Sequence, residues 1–142
     1  MKILIIGYGA VGSVLVKLLM KEKGVEKIYC LDLKFFEKLK NSKVHFEVFN
    51  ALDKIKFIGY LNRVRPDVVI NAAIPKFNLN IMESCLEANV NYMDAASYWD
   101  LDKDPNAKVP YKMEQLDYHK QFKDNKILGL IEAGVAPGLD NM

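Results

Sequence analysis

Three glycines near the start of the chain, Gly7, Gly9 and Gly12, have the spacing G-x-G-x-x-G, and an acidic residue, Asp32, follows the last of them by about twenty positions. In this pattern the first glycine allows a tight turn, the second lets a phosphate approach the backbone, and the third lets a helix pack closely on a strand. The carboxylate is suited to the hydroxyls of a ribose. The spacing therefore predicts a dinucleotide site whose pyrophosphate is held by backbone amides at a helix start.

The segments around these glycines have the order that such a site needs. An apolar run at 2–6 predicts a strand, and a second apolar run at 28–31, leading into Asp32, predicts another. Between them, apolar residues recur at three and four positions, which predicts a helix over 10–23 with one buried face, ended by Gly24. That stripe consists of Val11, Val14, Leu15, Leu18 and Leu19.

Four more strands are predicted along the chain. Residues 44–49 alternate between apolar and polar, as expected for a strand at the edge of a sheet, whereas 68–70, 91–94 and 127–131 are short apolar or mixed runs. We expect a short helix or turn at 34–41 and a polar loop at 97–110.

Three more helices are predicted between those strands. The first has the apolar stripe Leu52, Ile55, Ile58 and Leu61 and ends before Pro66. The second is capped by Asn78, with Ile81, Met82, Cys85 and Leu86 inside and Glu83 and Glu87 outside. The third presents Tyr111, Gln115, Tyr118 and Phe122 on one face.

Strands and helices thus alternate, which predicts an α/β Rossmann fold: a doubly wound parallel sheet of about six strands, in the order 3-2-1-4-5-6, with helices on both faces. We assign 1–132 to the dinucleotide-binding domain. Residues 133–142 read as the start of a linker or helix, with a proline near a first helical position. We expect them to lead into a catalytic domain that this chain lacks.

Composition excludes several other classes of protein. The 142 residues carry a net charge of +2, which indicates neither a nucleic-acid partner nor a membrane surface. No apolar run approaches the length of about 20 residues that spans a bilayer. Cys30 and Cys85 lie far apart in apolar segments, as expected for buried reduced thiols in a cytoplasmic protein, and we predict no metal site. His45 and His119 are expected at the surface.

Several stretches together resemble the N-terminal cofactor domain of the saccharopine dehydrogenase-like oxidoreductases, which include saccharopine reductases, lysine 6-dehydrogenases and carboxynorspermidine synthases. They are IIGYGAVG at 5–12, VVINAA at 68–73, CLEA at 85–88, YMD at 92–94 and AGVAPGLDN at 133–141. The resemblance implies hydride transfer between a nicotinamide cofactor and a C–N bond of an amino acid or polyamine precursor. It also implies a small-molecule substrate and, for the full-length protein, a homodimer.

The resemblance assigns roles to individual residues. Asp32 would bind the adenosine ribose and Leu33 and Asn50 would surround the adenine. The other expected cofactor-binding residues are Gly7, Tyr8, Gly9, Ala10, Val11 and Gly12 around the pyrophosphate, and Ala72, Ala73 and Pro75 towards the nicotinamide. Candidate substrate-binding residues are Asp94, Pro137 and Gly138; the catalytic residues remain unknown.

Three questions stay open at this level. Asp32 favours NAD, because a carboxylate repels a 2′-phosphate; Leu33 stands where many relatives have arginine, and Lys34 keeps NADP as the alternative. Asp94 can orient substrate or nicotinamide, or cap the following turn. Tyr98 and Trp99 can cover the cofactor or pack a loop.

Two other kinds of protein share a glycine-rich loop of this type. A module that binds NAD(P) without chemistry is the alternative function. A short-chain dehydrogenase or epimerase needs a tyrosine four residues before a lysine, and none of the seven tyrosines has one.

Overall fold

Six parallel strands form one sheet in the order β3-β2-β1-β4-β5-β6. The computed structural model describes residues 1–34, 41–96 and 114–134. The strands are β1 (Lys2–Ile6), β2 (Lys27–Asp32), β3 (Val44–Val48), β4 (Val68–Asn71), β5 (Asn91–Asp94) and β6 (Gly129–Leu130). The helices are α1 (Ala10–Leu19), α2 (Lys54–Val64), α3 (Asn78–Glu87) and α4 (His119–Asp124), with 3-10 turns at Pro75–Phe77 and Glu114–Tyr118. The predicted Rossmann fold and strand order are confirmed, and β3 lies at the sheet edge as expected.

β1 runs through the middle of the sheet and contributes to two cores. Because successive side chains of a strand point to opposite faces, Leu4 and Ile6 face one core while Ile3 and Ile5 face the other. The first core also receives side chains from α2, α3 and α4, and the second receives side chains from α1. All four of these β1 residues are buried, which is why the strand reads as a continuous apolar run.

α1 is rotated relative to the face that its apolar stripe predicts. Its buried residues are Gly12 and Val16, whereas Val11, Val14 and Leu18 are more than half exposed. Gly12 lies so close to Gly7 that a Cβ atom would come within 1.9 Å of the Gly7 carbonyl oxygen, and this contact fixes the side of the helix that is buried. Apolar periodicity could not reveal it, since valine and leucine occur on both sides of the helix. The helix also ends earlier than predicted, with Met20 and not Gly24 at its C-cap.

α2 buries only Leu61 of its predicted stripe. Phe57, Tyr60 and Leu61 are buried, whereas Ile55 is 86% exposed and Leu52 precedes the helix. The aromatic residues determine the face because they offer the largest apolar area to the core. Asp53 caps the helix start by accepting a hydrogen bond from the Lys56 N–H, and the helix ends before Pro66 as predicted.

The last third of the described chain is less regular than predicted. α3 buries Ile81, Met82 and Cys85 as expected, but Asn78 is its first residue and not its cap. The fourth helix is a 3-10 turn followed by the short α4, and Gln115 and Phe122 do share a buried face. The sixth strand has only two residues. Predictions for 35–40, 97–113 and 135–142 fall outside the described residues, and this includes Tyr98, Trp99 and Tyr111.

Several predicted side-chain environments are observed. Cys30 and Cys85 are free thiols and buried, and His45 and His119 are exposed.

Among the described residues, no cluster of His, Cys, Asp or Glu could hold a metal ion. In the same part of the chain, no helix has the length and apolar character needed to cross a membrane.

Candidate dinucleotide-binding site

The glycine loop makes a tight turn between β1 and α1. Gly7 has a φ of +91° and donates its N–H to the carbonyl of Leu31 at 2.8 Å. A Cβ atom at Gly7 would lie 2.9 Å from the nitrogen of Ala73, and one at Gly12 would lie 1.9 Å from the carbonyl oxygen of Gly7. Both positions therefore require glycine, the first for its backbone conformation and both for space.

Gly9 differs from the other two glycines because nothing lies within 4 Å of the place where its Cβ would be. It is the N-cap of α1, and as a glycine it has no side chain with which to cap the helix. The first turn of α1 contains no acidic residue. Because the first N–H groups of a helix have no partner within the helix and lie at its positive end, this open space suits a phosphate group.

Asp32, the last residue of β2, lies beside this loop. One of its carboxylate oxygens, Oδ2, accepts a hydrogen bond from the Tyr8 N–H at 2.7 Å, and Oδ1 accepts one from the Lys34 N–H at 2.9 Å. The carboxylate is thus fixed between the tip of β2 and the loop that opens α1. A carboxylate has about four acceptor sites, so these two donors leave capacity for two ribose hydroxyls.

A cleft opens between Asp32 and the neighbouring strand ends. Its walls are largely apolar, and Asn50 contributes a side-chain amide whose Oδ1 accepts the Leu52 N–H at 3.0 Å. An apolar slot with few polar groups matches the faces and the edge of a purine. The lining residues are Ile6, Gly7, Leu31, Asp32, Leu33, Phe49, Asn50, Ala51, Leu52, Ala73, Phe77 and Ile81.

The structure thus brings five of the predicted cofactor residues to this cleft: Gly7, Asp32, Leu33, Asn50 and Ala73. Sequence reasoning missed the aromatic walls, Phe49 and Phe77. Phe49 directly follows β3 and donates its N–H to the Asp32 carbonyl. The rule that ligands bind beyond the carboxyl ends of parallel strands would have indicated Phe49. Phe77, in the 3-10 turn before α3, carries no such signal.

The other predicted cofactor residues are not among those that line this cleft. The Tyr8 ring packs edge-on against Phe46, with ring centroids 4.7 Å apart, in the second core. Ala72 pairs with Ile6 through its N–H and points into the same core. Ala10 and Val11 form the exposed first turn of α1, and Pro75 begins the 3-10 turn.

A buried polar network lies at the ends of β4 and β5. The Asn71 Nδ2 donates to the Asn78 Oδ1 at 2.7 Å, and the Asn78 Nδ2 donates to the Ala96 carbonyl at 2.7 Å. The Asn71 Oδ1 accepts the Ala73 N–H at 3.1 Å. Asn78 therefore links the start of α3 to the segment after β5, and this long-range role is why it does not act as a helix cap.

Asp94 belongs to the same buried region and is 1% exposed. Its carboxylate accepts hydrogen bonds from the Tyr92 hydroxyl at 2.8 Å, the Gln115 Nε2 at 2.5 Å and the Glu132 N–H at 2.9 Å. Burial raises the pKa of Asp94, while these three donors oppose that shift. Among the described residues, the donors to this carboxylate are two side chains and one backbone N–H, and they come from three separate segments. Pro137 and Gly138 lie outside the described residues.

The chain matches a family of known proteins over most of its length. Residues 3–130 match the model of the saccharopine dehydrogenase NADP-binding domain. The chain belongs to this family. Carboxynorspermidine synthase from Vibrio alginolyticus is 35% identical over 98 residues, which cover 68% of this chain and 23% of that protein. Carboxyaminopropylagmatine dehydrogenase from a Synechocystis species is 30% identical over an alignment of 148 positions, which covers 97% of this chain and 35% of that protein.

The chain therefore spans 23% and 35% of the length of these two family members. Among solved structures, saccharopine dehydrogenase (L-Glu forming) from Saccharomyces cerevisiae superposes with a TM-score of 0.70 at 18% identity, covering 98% of this chain and 28% of that one. UDP-glucose 4-epimerase from Thermus thermophilus, in complex with NAD, superposes with a TM-score of 0.63 at 18% identity, covering 92% of this chain and 54% of that one. At this identity the superpositions show the fold alone.

The family implies a nicotinamide cofactor, and the cleft has the features that the adenosine half of one requires. The Gly9 space, the first turn of α1 and the Asp32 carboxylate are separate parts of the fold that meet at one edge of the sheet. The residues present therefore fit the group.

Proposed function

We propose that this chain binds NAD at the cleft described above and forms the cofactor domain of an oxidoreductase. The observation that carries the proposal is the hydrogen bond between Asp32 and the Tyr8 N–H, which holds a carboxylate next to the glycine loop. The ribose of the adenosine would bind Asp32, the pyrophosphate would bind the amides of Gly7 to Val11, and the adenine would lie between Leu33 and Asn50.

We propose NAD rather than NADP as the cofactor. A 2′-phosphate on the ribose would lie against the Asp32 carboxylate, and close like charges repel. Leu33, which is exposed at the cleft, offers no charge to offset that repulsion. Lys34 donates its backbone N–H to Asp32 and is the nearest residue in sequence that could supply a cation. Because the family's domain is named for NADP, the affinities for both NAD and NADP should be measured.

We propose that the complete enzyme transfers a hydride between the cofactor and a C–N bond of an amino acid or polyamine precursor. The support is family membership and the names of the relatives, which include a carboxynorspermidine synthase and a carboxyaminopropylagmatine dehydrogenase. The nicotinamide supplies the hydride chemistry when it is bound. This chain's part is to bind the cofactor, orient its reactive carbon and keep water from one side of it.

The positions towards the nicotinamide and the substrate are proposed from the fold. Ala72, Ala73 and Pro75 follow β4, and Asp94 ends β5, on the half of the sheet where the second nucleotide lies in a doubly wound fold. We propose that Pro137 and Gly138 approach the substrate. We propose that the cofactor domain ends at residue 132 and that 133–142 lead into a catalytic domain that supplies most substrate-binding charges.

We further propose a homodimer for the full-length protein and a cytoplasmic location. Two buried free thiols are consistent with a reducing compartment.

The test is calorimetric titration of the 142-residue chain with NAD and with NADP, followed by turnover assays. We expect NAD to bind at least about tenfold more tightly than NADP, which corresponds to about 1.4 kcal/mol. We expect no turnover of amine or imine substrates by this chain, and turnover by the product of the whole reading frame that contains it. Binding without turnover by that whole product would favour the NAD(P)-sensing module, and no binding of either dinucleotide would contradict the proposal.

A further inference from the structure

The segment that follows β6 is attached to the end of β5 at three successive residues. The Glu132 N–H donates to the Asp94 Oδ1 and the Ala133 N–H donates to the Asp94 carbonyl, both at 2.9 Å. At Gly134 a Cβ atom would lie 2.9 Å from both the Cβ and the carbonyl oxygen of Ala95. A single residue, Asp94, therefore holds this segment through its side chain and its main chain together.

The backbone of the segment is bent to make these contacts. Glu132 has a φ of +56°, a conformation that residues other than glycine seldom adopt. A residue in this conformation raises the free energy of the folded state. It is retained only where surrounding contacts hold the backbone in place. The Asp94 carboxylate supplies one such contact at the very residue that bears the unusual φ.

The carboxylate is itself fixed from its other side. Its Oδ2 accepts hydrogen bonds from the Tyr92 hydroxyl at 2.8 Å and the Gln115 Nε2 at 2.5 Å, and all three side chains are buried. Together with the Glu132 N–H, three donors from three segments therefore converge on one carboxylate. An acceptor-only side chain is required here, since an amide would present its NH₂ group to at least one of these donors.

The location of this cluster suggests its purpose. Asp94 pairs in register with Asn71 at the carboxyl ends of β5 and β4, and Asn71 in turn accepts the N–H of Ala73, which lines the cleft. In a doubly wound sheet the second nucleotide of a dinucleotide lies over this half of the crevice.

We propose that Asp94 is a positioning residue that fixes the segment Glu132 to Gly134 as a wall for the nicotinamide half of the cofactor, without touching the cofactor itself. The inference rests on the proposed function and adds to it a residue that acts on one half of the ligand only. Asp94 is 1% exposed and both of its carboxylate oxygens already accept hydrogen bonds, so it would act through the main chain of the segment that it holds.

The test compares two ligands that share the adenosine, pyrophosphate and second ribose: NAD, and ADP-ribose, which lacks the nicotinamide ring. In the wild-type chain we expect NAD to bind more tightly than ADP-ribose. In Asp94→Asn we expect this preference to fall at least about fivefold while the affinity for ADP-ribose changes less than about twofold. Amide exchange at Glu132 and Ala133 should become faster in the same variant.

Two further variants guard against ambiguity. Tyr92→Phe removes one donor to the carboxylate with little change of volume, so it should reduce the preference in the same direction even where Asp94→Asn does not fold. Asp67→Asn is the matched control, because Asp67 also accepts a backbone N–H, that of Lys2 at 2.6 Å, at the opposite end of the sheet. It should leave the preference unchanged.

The outcomes separate this inference from the proposed function. Equal loss of both ligands in Asp94→Asn and Tyr92→Phe would show a merely structural role and overturn the inference. So would equal binding of NAD and ADP-ribose to the wild-type chain. Failure of the wild-type chain to bind ADP-ribose would instead contradict the proposed adenosine site.

Discussion

The carboxylate of Asp32 and the backbone N–H of Tyr8 are joined by a hydrogen bond of 2.7 Å. The bond ties the tip of β2 to the loop between β1 and α1, so the group proposed to bind the ribose also holds the loop proposed to bind the pyrophosphate. The proposed pyrophosphate-binding loop and the proposed ribose-binding carboxylate are therefore held together by one side chain. A change at Asp32 should affect both contacts together.

Asp32→Asn should weaken binding of NAD by about tenfold or more, because it removes the charge from hydrogen bonds to both the ribose and the loop. The preference for NAD over NADP should shrink, since the repulsion of a 2′-phosphate is lost. Titration of both dinucleotides measures both effects. Asp67→Asn, which changes a backbone-bonded carboxylate at the other end of the sheet, should bind like the wild type. Unchanged NAD affinity in Asp32→Asn would refute the ribose assignment.

Gly12→Ala and Gly9→Ala should separate folding from binding. A Cβ at Gly12 would meet the Gly7 carbonyl oxygen at 1.9 Å, so this variant should lose about 3 kcal/mol of stability or fail to fold. Gly9→Ala has open space around the new methyl group and should lose about 1 kcal/mol at most, mainly as a poorer helix cap. It should nevertheless weaken NAD binding, because the methyl group occupies the proposed phosphate space. Melting temperature and calorimetry together give the result, and normal NAD affinity in a folded Gly9→Ala would count against that space.

Val16→Ala and Val14→Ala test the observed rotation of α1. Val16 is fully buried, so its truncation should cost about 2 kcal/mol of unfolding free energy. Val14 is more than half exposed, and alanine is the better helix former, so Val14→Ala should be neutral or slightly stabilising. Chemical denaturation of the two variants provides the comparison. Equal losses would contradict the observed burial, and a larger loss in Val14→Ala would mean that the helix is turned as its apolar stripe predicts.

Cys30 should be unreactive towards thiol reagents in the folded chain. Burial, aided by the nearby Asp32 charge, raises the pKa of its thiol from 9.0 to about 12. Since the unfolded thiol ionises near its ordinary pKa, the folded state loses stability as the pH rises from about 9 towards 12 and gains nothing below that range. Reaction with a coloured disulfide reagent at pH 8 should occur only after denaturant is added. The melting temperature should fall less steeply with alkaline pH in Cys30→Ala than in the wild type.

Much of the site could be predicted because its signals are local. The turn at Gly7, the open position at Gly9 and the close contact at Gly12 each follow from the small size of glycine at a fixed spacing. Asp32 ends an apolar strand, and the carboxyl ends of parallel strands meet at one edge. This is why Leu33 and Asn50, which the resemblance assigned to the adenine and which follow β2 and β3, reach the same cleft.

The sequence by itself determined the order of strands and helices, the parallel sheet and the place of the glycine loop, because alternation, apolar runs and turn residues act over a few neighbouring positions. Only the tertiary structure decided which faces of α1 and α2 are buried, since packing chose Val16 and Phe57 over equally apolar neighbours. The same is true of the Asp94 cluster. Its partners lie up to 38 residues away in the chain, and a local sequence pattern does not predict which distant donors will contact a buried carboxylate.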